Sequence, residues 1–297
     1  MLFLDRLITL PQYLAPHHAL SRLAWRIARS KNTAVKNTLI RTFLSNYDVD
    51  LSEAERPFIE DYESFNDFFT RKLRAGARPL GATDGAIVSP ADGAISEIGC
   101  IDNGRLLQAK GRYYSLQALL GDDETLTRRF TGGSFATIYL APRNYHRVHA
   151  PITGTISSIR YIPGRLFSVN SRTARCVTNL FARNERLIVE IHGAAGSIAV
   201  ILVGAMLVAS MELTSCDVPA AVRAASGAKR PFIIAPTKTP TMVERGAELG
   251  RFNMGSTVIL LAKPESLSWD PALAQGCEVR VGQTIASVNS KRPSARS

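Results

Sequence analysis

The sequence predicts an α+β protein in which a β-rich body of packed sheets follows amphipathic helices at the N-terminus. Apolar residues recur with helical spacing up to about residue 45. From residue 86 onward the chain changes to short β-branched runs separated by Gly, Pro, Asn and Asp. With 297 residues and 45% hydrophobic content, the chain is long enough to bury a large core, so we expect a globular protein.

The first amphipathic helix is expected over residues 20–29. Its side chains fall on opposite faces, with Leu20, Leu23 and Ile27 on one and Arg22, Arg26 and Arg29 on the other. A further helical pattern follows over residues 39–44. Helices of this kind suit the interface of an anionic membrane, but a basic amphipathic helix also packs well on a globular body. The pattern favours the membrane and leaves both interpretations open.

The charge of the chain indicates an anionic partner, since the formal net charge is +11. Residues 1–41 contain seven Lys or Arg and one acidic residue, so +6 of that charge lies at the N-terminus. It accompanies apolar faces and few aromatic side chains, which favours an acidic membrane surface over nucleic acid. The longest apolar run, residues 198–209, has twelve residues, short of the roughly 20 that a membrane span needs. The first residues lack the basic start of a secretory signal, so export is not indicated.

We therefore expect residues 1–80 to form a helical, membrane-associating segment with a linker, and residues 81–297 to form a β-rich domain. Its strands are predicted over residues 86–88, 94–98, 105–109, 135–141, 153–162, 187–192, 198–210, 257–262 and 279–285. The four cysteines stand far apart without C-x-x-C spacing, so neither a zinc cluster nor a disulfide framework is predicted.

Gly255 and Ser256 stand immediately before the predicted strand 257–262. Because glycine has no Cβ, its carbonyl is open to close approach, and a serine hydroxyl becomes a nucleophile once a base removes its proton. Attack of Oγ on the Gly255 carbonyl would shift the acyl group from nitrogen to oxygen. β-Elimination of the resulting ester, followed by hydrolysis, would leave a pyruvoyl group at residue 256. The simpler interpretation is a strand that begins after a Gly-Ser turn.

Two histidines, His146 and His149, lie in a connection bounded by prolines. Their spacing of three fits metal ligation on a helix, but no acid or Cys cluster accompanies them, so no metal site is predicted. Asp92 stands in a tight turn, where it is expected to form an Asx turn if it acts alone. Taken together, Asp92, His149 and Ser256 supply the orienter, base and nucleophile of a triad.

Nine segments, all in the same order, resemble those of a known family. They are residues 65–74, 89–93, 110–116, 145–149, 164–170, 179–186, 203–205, 248–252 and 255–257. The family is that of the phosphatidylserine decarboxylases, pyruvoyl-dependent enzymes made as self-cleaving proenzymes. Bacterial members usually have leucine before the Gly-Ser-Thr segment, where this chain has Met254, a side chain of similar volume.

The resemblance implies that Asp92, His149 and Ser256 perform a self-cleavage between Gly255 and Ser256. The β-rich domain would then be the catalytic domain, made of a β chain, residues 1–255, and an α chain, residues 256–297, that form a heterodimer, with a higher oligomer also open. Ser256 would become the pyruvoyl group, the covalent cofactor that forms a Schiff base with the substrate amine and withdraws electrons as CO₂ leaves.

The resemblance also implies a substrate and its surroundings. Phosphatidylserine in an anionic membrane would be converted to phosphatidylethanolamine, by a protein bound peripherally at the cytoplasmic face of the cell membrane. His146 matches the family histidine associated with decarboxylation, and protonating the carbanion carbon is a sensible role for it. Candidates for the wall of the substrate pocket are Leu166, Phe167, Ser168 and Asn170.

Two alternatives remain open at this point. One is a pyruvoyl-dependent decarboxylase of a soluble amino acid that uses the same triad, although a soluble substrate gives no reason for basic amphipathic helices. The other is a peripheral anionic-lipid binder without catalysis. The mass of the purified protein separates the second alternative from the enzymes, because a binder remains one chain.

Overall fold

The computed structural model describes residue 5 and residues 9–81, 85–109, 111–194, 196–206, 211–224, 230–234, 241–253 and 256–289, with the side chains of residues 223 and 224 excepted. The helices of this part are α1 (Pro11–Leu14), α2 (His17–Ala28), α3 (Thr33–Asn46), α4 (Phe65–Phe69), α5 (Leu116–Leu119), α6 (Glu124–Phe130), α7 (Ser171–Cys176), α8 (Leu180–Arg183) and α9 (Val218–Ala224), with a 3-10 turn at Ile59–Asp61. None of these helices is long and apolar enough to cross a membrane.

The strands are short and numerous. They are β1 (Ala86–Val88), β2 (Gly93–Cys100), β3 (Arg105–Ala109), β4 (Arg112–Ser115), β5 (Ser134–Leu140), β6 (Arg147–His149), β7 (Gly154–Ile162), β8 (Arg186–Gly193), β9 (Gly196–Val203), β10 (Met211–Leu213), β11 (Phe232–Ile233), β12 (Thr241–Val243), β13 (Glu248–Phe252), β14 (Ser256–Ala262), β15 (Leu267–Trp269), β16 (Glu278–Val279) and β17 (Thr284–Val288). The predicted α+β, β-rich fold class is confirmed, whereas the division at residue 80 stays a prediction.

One large antiparallel sheet forms the centre of the body. Its strand order is β11-β7-β8-β9-β14-β5-β2-β16, with β12 also paired to β7. Two three-stranded sheets, β1-β17-β15 and β10-β13-β6, and the hairpin β3-β4 accompany it. Every residue of β14 is buried, which explains why Ser256–Ala262 is a continuous apolar run after its first two residues and not an alternating one.

Three strand predictions need correction. The predicted strand 279–285 is two strands, β16 and β17, because a turn separates them: the Gln283 amide donates to the Arg280 carbonyl (3.0 Å), and Gly282 has a φ of 82°. The predicted strand 198–210 ends at Val203, and its residues 207–210 lie outside the described part. The connection expected around His146 and His149 contains the short strand β6, which pairs with β13.

A second, smaller core of aromatic side chains holds α3 and α4 together with the 3-10 turn. The ring of Phe43 lies 5.4 Å from that of Phe65 and 5.9 Å from that of Phe68, and the Tyr62 ring meets Phe68 edge-on at 5.4 Å. Phe68 is completely buried. This cluster is separate from the core under the central sheet. It packs around α4, which ends at Phe69, just before Thr70.

Replacing Phe68 by alanine should lower the free energy of unfolding by about 3–5 kcal/mol, because the cavity left by a buried ring closes only in part. The matched control is Phe58→Ala, since Phe58 is 68% exposed and its loss should change stability by less than about 0.5 kcal/mol. Urea unfolding followed by circular dichroism compares the two. Equal midpoints for both variants would contradict the assignment of Phe68 to this core.

Candidate active site

Ser256 is the first residue of β14 and lies in the middle of the central sheet. It is paired with Leu140 of β5, and the next residue, Thr257, is paired with both β5 and β9. Ser256 is fully buried, and its Oγ has no hydrogen-bond partner among the described residues. The predicted cleavage partner Gly255 and its neighbour Met254 lie outside the described residues. The structure thus places an unpartnered hydroxyl at the start of a rigid strand.

Side-chain hydrogen bonds hold Asn253, three residues before Ser256, in place. Asn66 Nδ2 donates to Asn253 Oδ1 (3.1 Å), and Asn253 Nδ2 donates to Glu212 Oε1 (2.9 Å). Arg251 and Arg29 also donate to the Glu212 carboxylate, and their contacts lower its pKa against the opposing effect of burial. Sequence reasoning missed this role of Asn66, Glu212 and Asn253, although Asn66 lies in one of the segments that show the resemblance.

His149 lies at the end of β6 and has a single defined tautomer. Its Nδ1 is 2.7 Å from the Gly246 carbonyl oxygen, which only accepts, so Nδ1 bears the proton. Nε2 therefore accepts, and it lies 3.1 Å from the Tyr145 hydroxyl. Burial lowers the pKa of His149, so the ring is neutral at neutral pH. A neutral imidazole with an accepting Nε2 is the form that a general base needs.

Asp92 lies close to His149 but is bound to other groups. Arg78 donates through Nε to both carboxylate oxygens (3.0 and 3.1 Å) and through Nη2 to Oδ2 (2.5 Å), and the Val281 amide donates to Oδ1 (2.8 Å). The turn that contains Asp92 is tied to β6, since the His149 amide donates to the Pro90 carbonyl (2.7 Å). In a catalytic triad, the orienting residue holds Nδ1 of the histidine. In this structure the Gly246 carbonyl, and not Asp92, contacts Nδ1 of His149.

His146 is buried completely beside the aromatic core. Its ring stacks on Phe69 with centroids 4.1 Å apart, and its Nε2 donates to the Pro142 carbonyl (3.3 Å). Nδ1 is buried and has no partner among the described residues. Burial, and then the positive charge of Arg71, lower the pKa of His146 to about 3. The ring is therefore neutral, with a free lone pair on Nδ1.

A cavity of about 370 Å³ opens beside Ser256. Its walls are Tyr47, Tyr139, Leu140, Pro142, Ser168, Val169, Asn170, Ala205 and Met206, together with Ser256 itself. Of the predicted pocket residues, Ser168 and Asn170 line this cavity, whereas Leu166 and Phe167 are buried and do not. The sequence did not predict Tyr47 and Tyr139 as cavity residues. One lies at the end of α3 and the other in β5, and nothing in the sequence indicates that these positions share a cavity.

Fold and site together define a β-rich protein with a buried serine and a cavity at the start of β14, and with two neutral histidines, His146 and His149, that are not among the described residues lining this cavity. A family model described as phosphatidylserine decarboxylase matches residues 65–287, and one described as PSD matches residues 7–48. The first match covers more than half of the chain, so the chain belongs to the phosphatidylserine decarboxylase family, as the resemblance implied.

Similar proteins cover nearly the whole chain. The phosphatidylserine decarboxylase proenzyme of Pseudomonas fluorescens is 49% identical over 280 residues, which are 94% of this chain and 96% of that protein. The proenzyme of Azotobacter vinelandii is 48% identical over 285 residues, or 96% and 99% of the two chains. The proenzyme of Pseudomonas aeruginosa is 48% identical over 286 residues, or 96% and 98%.

The buried His146 should make the protein sensitive to acid. Its pKa is about 3 in the folded chain and near 6.5 when unfolded, so between these values only the unfolded chain binds the proton. The free energy of unfolding should therefore fall as pH drops below about 6.5, by up to about 1.4 kcal/mol per pH unit from this group. Urea unfolding at pH 7.5 and pH 4.5 should show a smaller loss for His146→Gln than for the unmodified protein. An equal loss in the two proteins would contradict a buried, neutral His146.

Proposed function

We propose that this chain cleaves itself between Gly255 and Ser256, converts Ser256 to a pyruvoyl group, and decarboxylates phosphatidylserine to phosphatidylethanolamine. The observation that supports this most directly is the buried Ser256 Oγ, which has no hydrogen-bond partner in the described part of the chain and lies at a cavity wall, in a chain of this family. A buried hydroxyl without a hydrogen bond is costly, and proteins keep such groups mainly where function needs them.

His149 would serve as the base in the cleavage step. Its Nε2 accepts a proton in the tautomer that the Gly246 carbonyl fixes, and the Tyr145 hydroxyl must release Nε2 for the Ser256 proton to reach it. Oγ then forms an ester with the Gly255 carbonyl carbon as the peptide C–N bond breaks and the nitrogen of residue 256 takes up a proton. Loss of the Cα proton to a base releases the Gly255 carboxylate and leaves a Cα=Cβ double bond at residue 256. The resulting enamine takes up a proton at Cβ to become an imine, and water then replaces its nitrogen, which leaves as ammonia.

The two products are expected to stay together. The chain of residues 256–297 begins with β14, which is hydrogen-bonded to β5 on one edge and to β9 on the other. Both neighbouring strands belong to residues 1–255. Cleavage ahead of Ser256 leaves the pairing of residues 257–262 with both strands in place, so the heterodimer retains the folded centre of the protein.

In the decarboxylation step, the pyruvoyl group would supply the carbonyl that binds the substrate amine and withdraws electrons as CO₂ leaves. The residues present fit such a group, because residue 256 adjoins a cavity of about 370 Å³. Ser168 and Asn170 offer polar groups at its wall. His146 would deliver the proton that replaces CO₂: because burial disfavours its charged form, a proton taken up by the lone pair on Nδ1 would be released readily to the substrate carbon.

We further propose a peripheral contact with the cytoplasmic face of the membrane through α1 and α2. The apolar face of α2 is turned away from the protein: Leu23 is 57% and Ile27 46% exposed, while His17, Ser21 and Ala28 are buried. Leu14 of α1 is 89% exposed. Packing on the body would have buried these leucines, so their exposure supports a lipid substrate over a soluble amino acid.

The assignment of the histidines is tested by processing and activity together. His149→Ala and Asp92→Asn should remain one chain, like the control Ser256→Ala, because the hydroxyl is not activated. His146→Ala should still give fragments 1–255 and 256–297, yet release no CO₂ from phosphatidylserine. Mass spectrometry measures the cleaved fraction, and hydrazine reactivity detects the carbonyl at residue 256.

Four outcomes would count against this assignment or against the proposed function. If His146→Ala blocks cleavage while His149→Ala is processed, the roles are reversed. If neither substitution affects cleavage, the triad is wrong. A free serine amine at residue 256 would refute the pyruvoyl group even when cleavage occurs, and an intact chain would support the non-catalytic lipid binder.

The membrane contact is tested by replacing exposed leucines. Leu14→Ser with Leu23→Ser should weaken binding to vesicles that contain phosphatidylglycerol by about tenfold or more, because less apolar surface enters the bilayer. The matched control, Ile233→Ser with Met242→Ser, removes apolar side chains that are 50% and 66% exposed at one end of the central sheet. Vesicle sedimentation measures both. An equal effect of the two double variants would place the contact elsewhere.

A further inference from the structure

A groove lies between the start of α2 and the chain at Gly164, on the surface that carries α1. Its volume is about 640 Å³, and its lining includes three arginines and two histidines. These are His17, His18, Arg22, Arg165 and Arg183. Among the described residues, no acidic one lines it. This groove shares no lining residue with the cavity beside Ser256.

The three arginines of the groove lack acidic partners. Arg165 donates to the Tyr13 carbonyl (3.3 Å), and the Arg183 guanidinium lies over the rings of Tyr13 and Phe167, at 5.3 and 5.0 Å. Arg22 is exposed. None of the three forms an ion pair with a described residue, whereas Arg29, Arg172 and Arg175 do. The groove therefore presents uncompensated positive charge.

His17 adds a hydrogen-bond donor to the same wall. It is 3% exposed and lines the groove. Its Nδ1 accepts from the Leu166 amide (3.2 Å), so the neutral ring has its proton on Nε2. That Nε2 is buried and has no partner among the described residues. Burial lowers the pKa of His17, and a contact of the ring with the Gln12 backbone opposes this, although no described acceptor has hydrogen-bond geometry to Nε2. This imidazole N–H, beside three guanidinium groups without an ion pair to a described residue, forms a donor set that suits phosphate oxygens.

The surroundings of the groove indicate the kind of molecule that brings the phosphate. Leu14 and Leu20, on the two helices next to the groove, are 89% and 39% exposed. Phosphate chemistry next to an exposed apolar surface matches a phospholipid, which has an anionic headgroup above its acyl chains. The groove is also continuous in sequence with the substrate cavity, because Gly164 and Arg165 line the groove and Ser168 to Asn170 line the cavity.

We propose that this groove binds the phosphate of an anionic phospholipid that is not the molecule being decarboxylated. The inference rests on the membrane contact proposed above. The described linings of the groove and of the cavity beside Ser256 have no residue in common, and the buried Phe167 stands between them in the sequence, so we assign the phosphate of a substrate at Ser256 to a different place. Occupancy of the groove acts on the cavity wall, since His17 accepts from the Leu166 amide and Gln12 Oε1 from the Ser168 amide (3.0 Å).

The test compares two double variants of equal charge. Arg22→Gln with Arg165→Gln removes two cations from the groove, and Arg26→Gln with Arg41→Gln removes two from exposed positions of α2 and α3 outside it. Binding is measured on phosphatidylcholine vesicles that contain phosphatidylglycerol and no phosphatidylserine. The groove variant should bind about tenfold more weakly than the control variant, and its KM for monomeric short-chain phosphatidylserine should be unchanged.

Each other outcome overturns the proposal. Equal losses in the two variants would mean that the arginines act only through the general surface charge. A raised KM for the short-chain substrate in the groove variant would assign the groove to the phosphate of the substrate itself. Because self-cleavage and CO₂ release from the short-chain substrate need no membrane, their retention shows that the fold and the decarboxylase function are intact when the groove proposal fails.

Discussion

The position of β14 between β5 and β9 is the constraint on which the candidate site depends. Both edges of this strand are hydrogen-bonded, and its residues are buried on both faces, so residue 256 is fixed from the strand side. The chain ahead of it is held in another way, by the side-chain contacts of Asn253 with Asn66 and Glu212. A bond between these two regions can break without loss of the sheet, because each side is held independently: residues 257–262 pair with β5 and β9, and the segment ahead is held by the pairing of β13 with β10 and β6 and by the contacts of Asn253.

Several buried polar atoms of the candidate site have no hydrogen-bond partner among the described residues. Ser256 Oγ, Thr257 Oγ1 and His146 Nδ1 are all buried and have no hydrogen bond among the described residues, and Arg71 Nε and Nη1 share this property. Each such group costs about 1–3 kcal/mol relative to a satisfied one. Buried polar atoms without hydrogen bonds are expected where a protein retains reactive groups for chemistry. The low pKa of His146 has the same origin, since burial and the charge of Arg71 disfavour its protonated form.

The sequence permitted a good prediction of the strands and a partial prediction of the site. The strand expected over residues 257–262 is β14 with one residue added, because a continuous apolar run after a Gly-Ser turn has few other folded forms. The contacts of Asp92 and His149 were not predictable. Arg78 reaches Asp92 from a stretch that the sequence presents as a linker, and the carbonyl that fixes His149 belongs to Gly246, 97 residues away. Local patterns contain no information about such distant backbone acceptors.

The N-terminal helices show why an amphipathic pattern alone does not give the orientation of a helix. α2 packs on the body with His17, Ser21 and Ala28, of which two are small and allow close approach, and it leaves Leu23 and Ile27 exposed. The ring of His17 makes two contacts with the segment that follows Gly164. It packs edge-on against Phe167, with ring centroids 5.0 Å apart, and its Nδ1 accepts a hydrogen bond from the Leu166 amide. The helix is therefore fixed to the segment whose next residues, Ser168 to Asn170, form part of the cavity wall beside Ser256. The exposed apolar face of α2 and the wall of the cavity beside Ser256 are thus joined through a few residues of one loop, so the position of α2 and the shape of the cavity wall depend on the same contacts of His17.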